Sequence, residues 1–416
     1  MQSLIDLNNF NRGGNGVYSA DSDAALREFN YSDGAATEVQ LYEILSASED
    51  LSSSSKELQS QIVDWPTEYH LSETRANLLR PLNLDGVTRV LELGCGCGSI
   101  SRYLGEQPGI SVDAIEGSPI RAALAKLRCA DLENVIVSSA NFNDIEFPQD
   151  YYDLVLFVGV TEYAGRFSAR ATDQEALQDL LSLGQKAAKK NGITLIAIEN
   201  RTGLKYLLGA NEDHYAVPYI GLDDYPESTG IRTYTKSEWQ LQIGKAGFAA
   251  HQFMYPFPDY KVPTLMVREG ALSQLNDEHL SSIKSRDYNS AFDIGDQEHR
   301  VWQGLNISKT ISELSNSFLI LLGQDQAQIN AMCEFGIEQY PSAQLSYRLP
   351  SEAVKVNHEV PSTDVNEAGI EFLKAELTQL QAHSKSLQET IDIMAGSSGW
   401  TWLNRIRRLL GKKSVR

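Results

Sequence analysis

The chain has 416 residues, 42% of them apolar, and a formal charge of −19 at pH 7. That is enough for a sizeable core, and the net acidity argues against a nucleic-acid binder, which carries a basic footprint. The acidity is uneven: residues 400–416 hold six Arg or Lys and no Asp or Glu, so the rest carries −25. The opening MQSLIDLNNF lacks a basic n-region and a long apolar run, so no signal peptide is expected. No stretch approaches the roughly 20 apolar residues that span a bilayer. Cys95, Cys97, Cys129 and Cys333 form no disulfide framework or zinc pattern, which fits a reduced, cytoplasmic setting.

Residues 1–64 read as a loose polar segment with one or two short helices. Residues 65–80, WPTEYHLSETRANLLR, read as a capped helix with Ser72 as a plausible N-cap. From 88 to 268 strand and helix alternate, which predicts an α/β fold with a mostly parallel sheet and helices on both faces. The strands are Thr88–Leu93, Ser111–Glu116, Asn134–Ser139, Asp153–Val158 and Ile193–Glu199. The helices are 99–105, 119–129, 173–190 and 236–246. Phe248–Tyr255 and Pro263–Val267 are expected to close the sheet as an antiparallel pair. Residues 269–360 read as a small α+β accessory region, with a helix at Ile307–Ser315 and strands at Ser317–Leu322 and Leu345–Leu349. Glu359–Thr363 reads as a linker.

In 366–395, Ile370, Leu373, Leu377, Leu380, Ser384, Leu387, Ile391 and Met394 alternate in steps of three and four. All but Ser384 are apolar, the pattern of a coiled coil, with a single helix packed on the body as the alternative. In 400–416, Trp400, Trp402, Leu403, Ile406, Leu409 and Leu410 alternate with Arg405, Arg407, Arg408, Lys412 and Lys413. This basic amphipathic pattern suits an anionic membrane surface or a protein partner.

The chemistry lies in Val90–Ile100, VLELGCGCGSI. A strand feeds the turn Gly94-Cys95-Gly96-Cys97-Gly98, and a helix follows. Such a turn lets a ligand approach the backbone and the helix N-terminus. Glu116 ends the next strand, twenty residues past Gly96, where a carboxylate can accept two ribose hydroxyls. A dinucleotide site would need a third glycine where Ser99 stands. Glu92, two residues before Gly94, also disfavours a pyrophosphate and suits a ligand bearing an amino group and a sulfonium.

ELGCGCGSISRYL resembles motif I of the class I S-adenosylmethionine-dependent methyltransferases. VDAIEGSP, ANFNDIEF and YYDLVLFVGVTEYAG resemble their next three motifs, and the resemblance covers about residues 65–268. It implies a Rossmann-like seven-stranded sheet whose last strand inserts antiparallel, with S-adenosyl-L-methionine as cofactor. It places Gly94, Cys95, Gly96 and Gly98 along the methionine and ribose, and Glu92 at the amino end. Glu116 falls on the ribose, and Gly117 and Ser118 beside the adenine. Asn141 stands where the family often has an aspartate, and Phe142, Phe157 and Val158 contact the cofactor or pack in the core. WPTEYHLSETRANLLRPL, VGVTEYAG and IENRTGLKYLLGANEDHY resemble methyltransferases of bacterial cell-surface polysaccharide pathways, including O-antigen synthesis. SSGWTWLNRIRRLLG is similar to a tail on glycosyltransferases and their partners in those pathways.

Ligands in open α/β sheets bind beyond the carboxyl ends of the strands. Two segments emerge there: Gly159–Gly165, with Glu162 and Tyr163, and 200–235, with Asn200, Arg201, Tyr206, Glu212, Asp213, His214 and Tyr215. The second reads as an acceptor pocket for a sugar or lipid-linked glycan. His214 is the leading general-base candidate, from its ordinary pKa of about 6.5; Glu162 and Asp213 are alternatives. Tyr69, His70 and Arg75 precede the sheet and either close over the cofactor or cap the fold. No metal-ligand cluster is legible. The expected activity is O-methylation of a surface-glycan sugar, with the coiled coil for self-association or a glycosyltransferase partner. The alternatives are a protein or small-metabolite methyltransferase, and a non-catalytic scaffold of a glycan-assembly complex.

Overall fold

The computed structural model describes residues 10–13, 15–20, 34–168, 170–226, 230–288, 294–295 and 297–341. The expected strand Leu345–Leu349, the linker, the coiled coil 366–395 and the basic helix 400–416 lie outside them.

Among the described residues, eleven strands form one sheet. In chain order they are β1 (Phe10–Arg12), β2 (Tyr18–Ala20), β3 (Arg89–Leu93), β4 (Ser111–Glu116), β5 (Val135–Ser139), β6 (Tyr152–Val158), β7 (Ala188–Glu199), β8 (Ala250–Phe257), β9 (Leu265–Arg268), β10 (Ser317–Gly323) and β11 (Ile337–Gln339). Their order across the sheet is β1-β2-β5-β4-β3-β6-β7-β10-β8-β9-β11. The pairs β5–β4, β4–β3, β3–β6 and β6–β7 are parallel.

The central strands are continuous apolar runs because both faces are covered. Successive side chains point to opposite faces. Leu91 and Leu93 of β3 and Ile196 and Ile198 of β7 enter one core. Val90, Leu195 and Ala197 enter the other. Helix Asp173–Ala187 covers the first face with Leu177, Leu180 and Leu181. Helices Ser99–Gly105 and Pro119–Arg128 cover the second with Ile100, Leu104, Ala122 and Ala125.

Two boundaries differ from expectation. The sheet is not closed by the hairpin β8–β9, although that antiparallel pair exists. The strand beside β7 is β10, antiparallel to both β7 and β8. It comes from the segment expected to be an accessory region. Phe318, Ile320 and Leu322 pack into one core, and Leu319 and Leu321 into the other. So 268 is not a domain limit, and residues 269–341 belong to the same body. The polar N-terminal segment likewise adds β2, which pairs in parallel with β5. Its helices Ala35–Ala47 and Lys56–Ser60 bury Leu41, Leu45 and Leu58.

The expected helix over 65–80 is broken at Ser72. Trp65–Leu71 starts at Asp64, whose side chain accepts from the Thr67 amide in a capping box. Ser72 is extended (φ −66°, ψ 136°) and its hydroxyl accepts from the Thr74 amide, starting a short 3-10 turn, Glu73–Leu78. Further on, helices occupy Gln297–Ile307 and Ile311–Leu314 in place of one at Ile307–Ser315. No helix among the described residues is long and apolar enough to cross a membrane.

Candidate active site

The glycine turn is fastened to the end of β4. The Gly94 and Cys95 amides both donate to the Ile115 carbonyl, at 2.8 and 3.0 Å. The Gly96 amide donates to Glu116 Oε2 at 2.8 Å, and the Ser118 amide to Oε1 at 2.9 Å. Two backbone donors therefore hold the Glu116 carboxylate. Gly94 has φ +77°, and a Cβ there would stand 2.4 Å from Val160 Cγ2, so a side chain has no room.

Glu92 lies inside β3 and is 2% exposed. Burial pushes its carboxyl up to about 7, against the pull of the Ser101 hydroxyl and the Arg75 charge. Such a carboxylate gains most from a ligand that brings a positive charge.

These groups open into a cleft with about 880 Å³ of empty space. Of the residues expected at the cofactor, Glu92, Gly94, Cys95, Gly96, Glu116, Gly117, Phe142 and Val158 line it; Gly98, Ser118, Asn141 and Phe157 do not. Each absence has a physical cause. Gly98 lets the turn pack on helix Pro119–Arg128: its Cβ would be 2.8 Å from Ala125 Cα. The Ser118 side chain caps that helix by accepting from the Arg121 amide. The Asn141 side chain accepts from the Asn143 amide, and Asn143 faces the cleft instead. Phe157 is fully buried in the sheet core.

Tyr69, His70 and Arg75 do line the cleft. Their segment is tied to the turn by the Ser99 hydroxyl, which donates to the His70 carbonyl at 2.9 Å. The Arg75 guanidinium lies over the Tyr69 ring at 4.2 Å, and Nη1 donates to the Lys261 carbonyl. Its buried Nε has no hydrogen-bond partner among the described residues. Glu92 and Arg75, of opposite charge, thus line one cleft.

Residues 90–182 match the family model described as a methyltransferase domain. This segment is a methyltransferase domain. Its cofactor is S-adenosylmethionine, and the buried acid, the buried arginine and the diol-ready Glu116 fit its charges and its ribose. A search of curated proteins finds no match. Solved structures with a similar chain trace include a SAM-dependent methyltransferase from Archaeoglobus fulgidus. It is 20% identical, with a TM-score of 0.36, covering 61% of this chain and 96% of that one. Another is phosphoethanolamine N-methyltransferase 2 of Haemonchus contortus, in complex with S-adenosyl-L-methionine. It is 15% identical, with a TM-score of 0.38, covering 73% and 60%.

The methyltransferase domain meets its candidate acid–base groups beside this cleft. In the first of the two expected acceptor segments, Gly159, Val160, Tyr163 and Ala164 line the cleft, as do Phe167 and Tyr69. In the second, no described residue of 200–235 does. That insertion turns its polar groups inward. Asn200 Nδ2 donates to the Glu313 and Ser315 carbonyls, Arg201 pairs with Asp224 and Glu238, and the Tyr215 hydroxyl donates to the Ile231 carbonyl.

His214 sits among carboxylates, not in the ordinary surroundings its expected role assumed. Its Nδ1 is 3.0 Å from Glu212 Oε1 and its Nε2 is 3.5 Å from Glu162 Oε1. Burial alone would lower its pKa, but Glu199, Glu162 and Glu212 raise it well above 6.5. Asp213 is also spoken for. Burial raises its pKa, but Lys205 and Lys261, which both pair with it, pull it well below the usual carboxylate range. Glu162 differs, because burial raises its carboxyl and Oε2 has no partner among the described residues. Glu199, at the end of β7, joins this cluster, and sequence reasoning missed it. Its signal was an acid closing the mostly apolar run 193–198.

Removing the Arg75 charge should be costly for the cofactor and mild for the fold. Arg75→Met is expected to weaken S-adenosylmethionine by about 1.5–3 kcal/mol, the worth of a charge-assisted bond. Isothermal titration checks this, with adenosine as a ligand that lacks the carboxylate and should lose little.

Proposed function

We propose that the chain transfers the cofactor's methyl group to a sugar hydroxyl of a cell-surface glycan or its lipid-linked precursor. The observation that supports this is the composition of the cleft beyond the cofactor groups. The rings of Tyr69, Tyr163 and Phe167 share it with Asn143 and Arg121, and aromatic faces beside paired polar groups suit a sugar.

The division of labour follows from the residues. Glu92 and Arg75 would hold the amino-acid end of S-adenosylmethionine, Glu116 the ribose hydroxyls, and Phe142 the adenine. The cofactor, when bound, supplies a methyl group activated by its sulfonium. The protein must hold the acceptor oxygen in line about 3 Å from that methyl and keep water out. A hydroxyl acceptor also gives up a proton. Glu162, the sequence neighbour of the cleft-lining Tyr163, would be the carboxylate to influence it, in place of His214. The basic stretch 400–416 would bring the enzyme to an anionic membrane face or a glycosyltransferase.

Incubation with methyl-labelled cofactor and separated extracts tests the acceptor. Label is expected in the lipid-linked glycan fraction. Label confined to proteins or to small metabolites would replace the sugar reading with the other methyltransferase reading. A thermal-shift titration with S-adenosylmethionine should raise the melting temperature by several degrees, and no shift would favour a scaffold without catalysis.

A further inference from the structure

Glu162, Glu199 and His214 each present one ligand atom, and these atoms lie within 4.8 Å of one another. They arrive from three segments at the carboxyl edge of the sheet: the turn after β6, the end of β7, and the insertion that follows. We propose that these three side chains bind one divalent transition-metal cation.

Four observations carry it. First, the site is buried: Glu162 is 3% and Glu199 1% exposed. Second, Oε2 of each glutamate is buried without a hydrogen-bond partner among the described residues. A buried carboxylate oxygen without a partner costs free energy, and a cation would satisfy both at once. Third, the histidine is oriented as metal-binding histidines are. Nδ1 faces the Glu212 carboxylate at 3.0 Å, which leaves Nε2 toward Glu162 at 3.5 Å. Ligating imidazoles commonly donate their other N–H to a carboxylate, which fixes the tautomer and the ring. Fourth, the local charge is unbalanced. The carboxylates of Glu162, Glu199, Glu212, Asp213 and Asp259 are served by ion pairs from Lys205, Lys261 and His214. Lys261 engages Glu199 through Oε1, so Oε2 stays available.

Two donors on one ion, each about 2.0–2.2 Å from it, stand roughly 3–4 Å apart. The cluster therefore needs only a small contraction. One imidazole and two carboxylates suit zinc, cobalt or manganese better than magnesium, which prefers an all-oxygen shell. Binding would release the imidazole proton. Because the donors come from three segments, the cation would fasten the insertion to the strand ends behind Tyr163, whose ring meets that of His214 edge-on at 5.4 Å. The proposal does not depend on the acceptor's identity.

The test uses the full chain after chelator treatment and dialysis, titrated separately with CoCl2 and MgCl2. One cobalt per chain is expected, with visible absorption bands and proton release, and no magnesium binding at the same concentrations. Glu162→Gln and His214→Gln should each weaken cobalt binding at least tenfold. Glu162→Gln keeps the side chain's shape, so it decides the matter if the histidine variant does not fold. S-adenosylmethionine titration of each protein reports on the fold and the cofactor site independently. Absent cobalt binding up to millimolar concentration, or equal binding by wild type and Glu162→Gln, overturns the cation site and leaves the methyltransferase reading standing.

Discussion

Glu92→Gln is expected to weaken S-adenosylmethionine by about 2–3 kcal/mol, roughly 30- to 150-fold, and to remove the acid limb of its pH dependence. The cofactor's ammonium gains only from the ionised carboxylate. Burial raises the Glu92 carboxyl from 4.5 to about 7. The sign follows from linkage. Below pH 7 the acid is protonated in the free protein, so binding must displace a proton, and affinity falls as pH falls. Between pH 7 and pH 5 the ionised fraction drops about 50-fold, and affinity should drop with it. Above about pH 8 the ligand's own amino group loses its proton, so affinity falls again. The wild type should therefore show a bell centred near neutrality, and the glutamine variant only its alkaline limb. Isothermal titration from pH 5 to 9 measures both. The stability of the free protein runs the other way. A raised carboxyl contributes stability that is full below pH 4.5 and lost as pH rises through about 7. An acid limb persisting in Glu92→Gln would move the titrating group elsewhere.

The cofactor side of the site was legible because local sequence sets it. Strand, turn and helix are contiguous, and Glu116 sits at a spacing fixed by one intervening helix. What the local sequence does not give is direction. Gly98, Ser118 and Asn141 are in the right loops, but their side chains or missing Cβ atoms serve turns and helix packing. Asn143, two residues on, faces the cleft. The acceptor side was less legible because its partners are distant in sequence. β10 reads as an apolar strand, yet nothing local says that it crosses back to pair with β7. The polar insertion 200–235 read as a pocket, but Arg201, Asp213 and His214 pair with Glu238, Lys261 and Glu162 outside it instead of lining the cleft. His214 looked like a base on its ordinary pKa, and only the fold brings three carboxylates to it. Glu199 was invisible for the same reason, since an acid ending a strand is informative only once Glu162 and His214 stand beside it.

The glycines of the turn divide by what their Cβ atoms would meet, and this gives the second large effect. Gly98 has φ +82°, and a Cβ there would lie 2.8 Å from Ala125 Cα and 3.0 Å from Ala125 Cβ. The left-handed backbone alone costs an alanine about 1–2 kcal/mol. The clash is with backbone of helix Pro119–Arg128, which cannot rotate away, so about 3 kcal/mol in total is expected. In a body of this size that lowers the melting temperature by roughly 4 °C. Because Gly98 does not line the cleft, the molecules still folded should bind cofactor with nearly native affinity. Gly94→Ala should differ. Its Cβ would strike Val160 Cγ2, and Val160 is a cleft wall, so both stability and affinity should fall. Calorimetric melting paired with cofactor titration separates the two. If Gly98→Ala lost affinity while melting normally, Gly98 would be a cofactor contact after all, and its packing against Ala125 would be incidental.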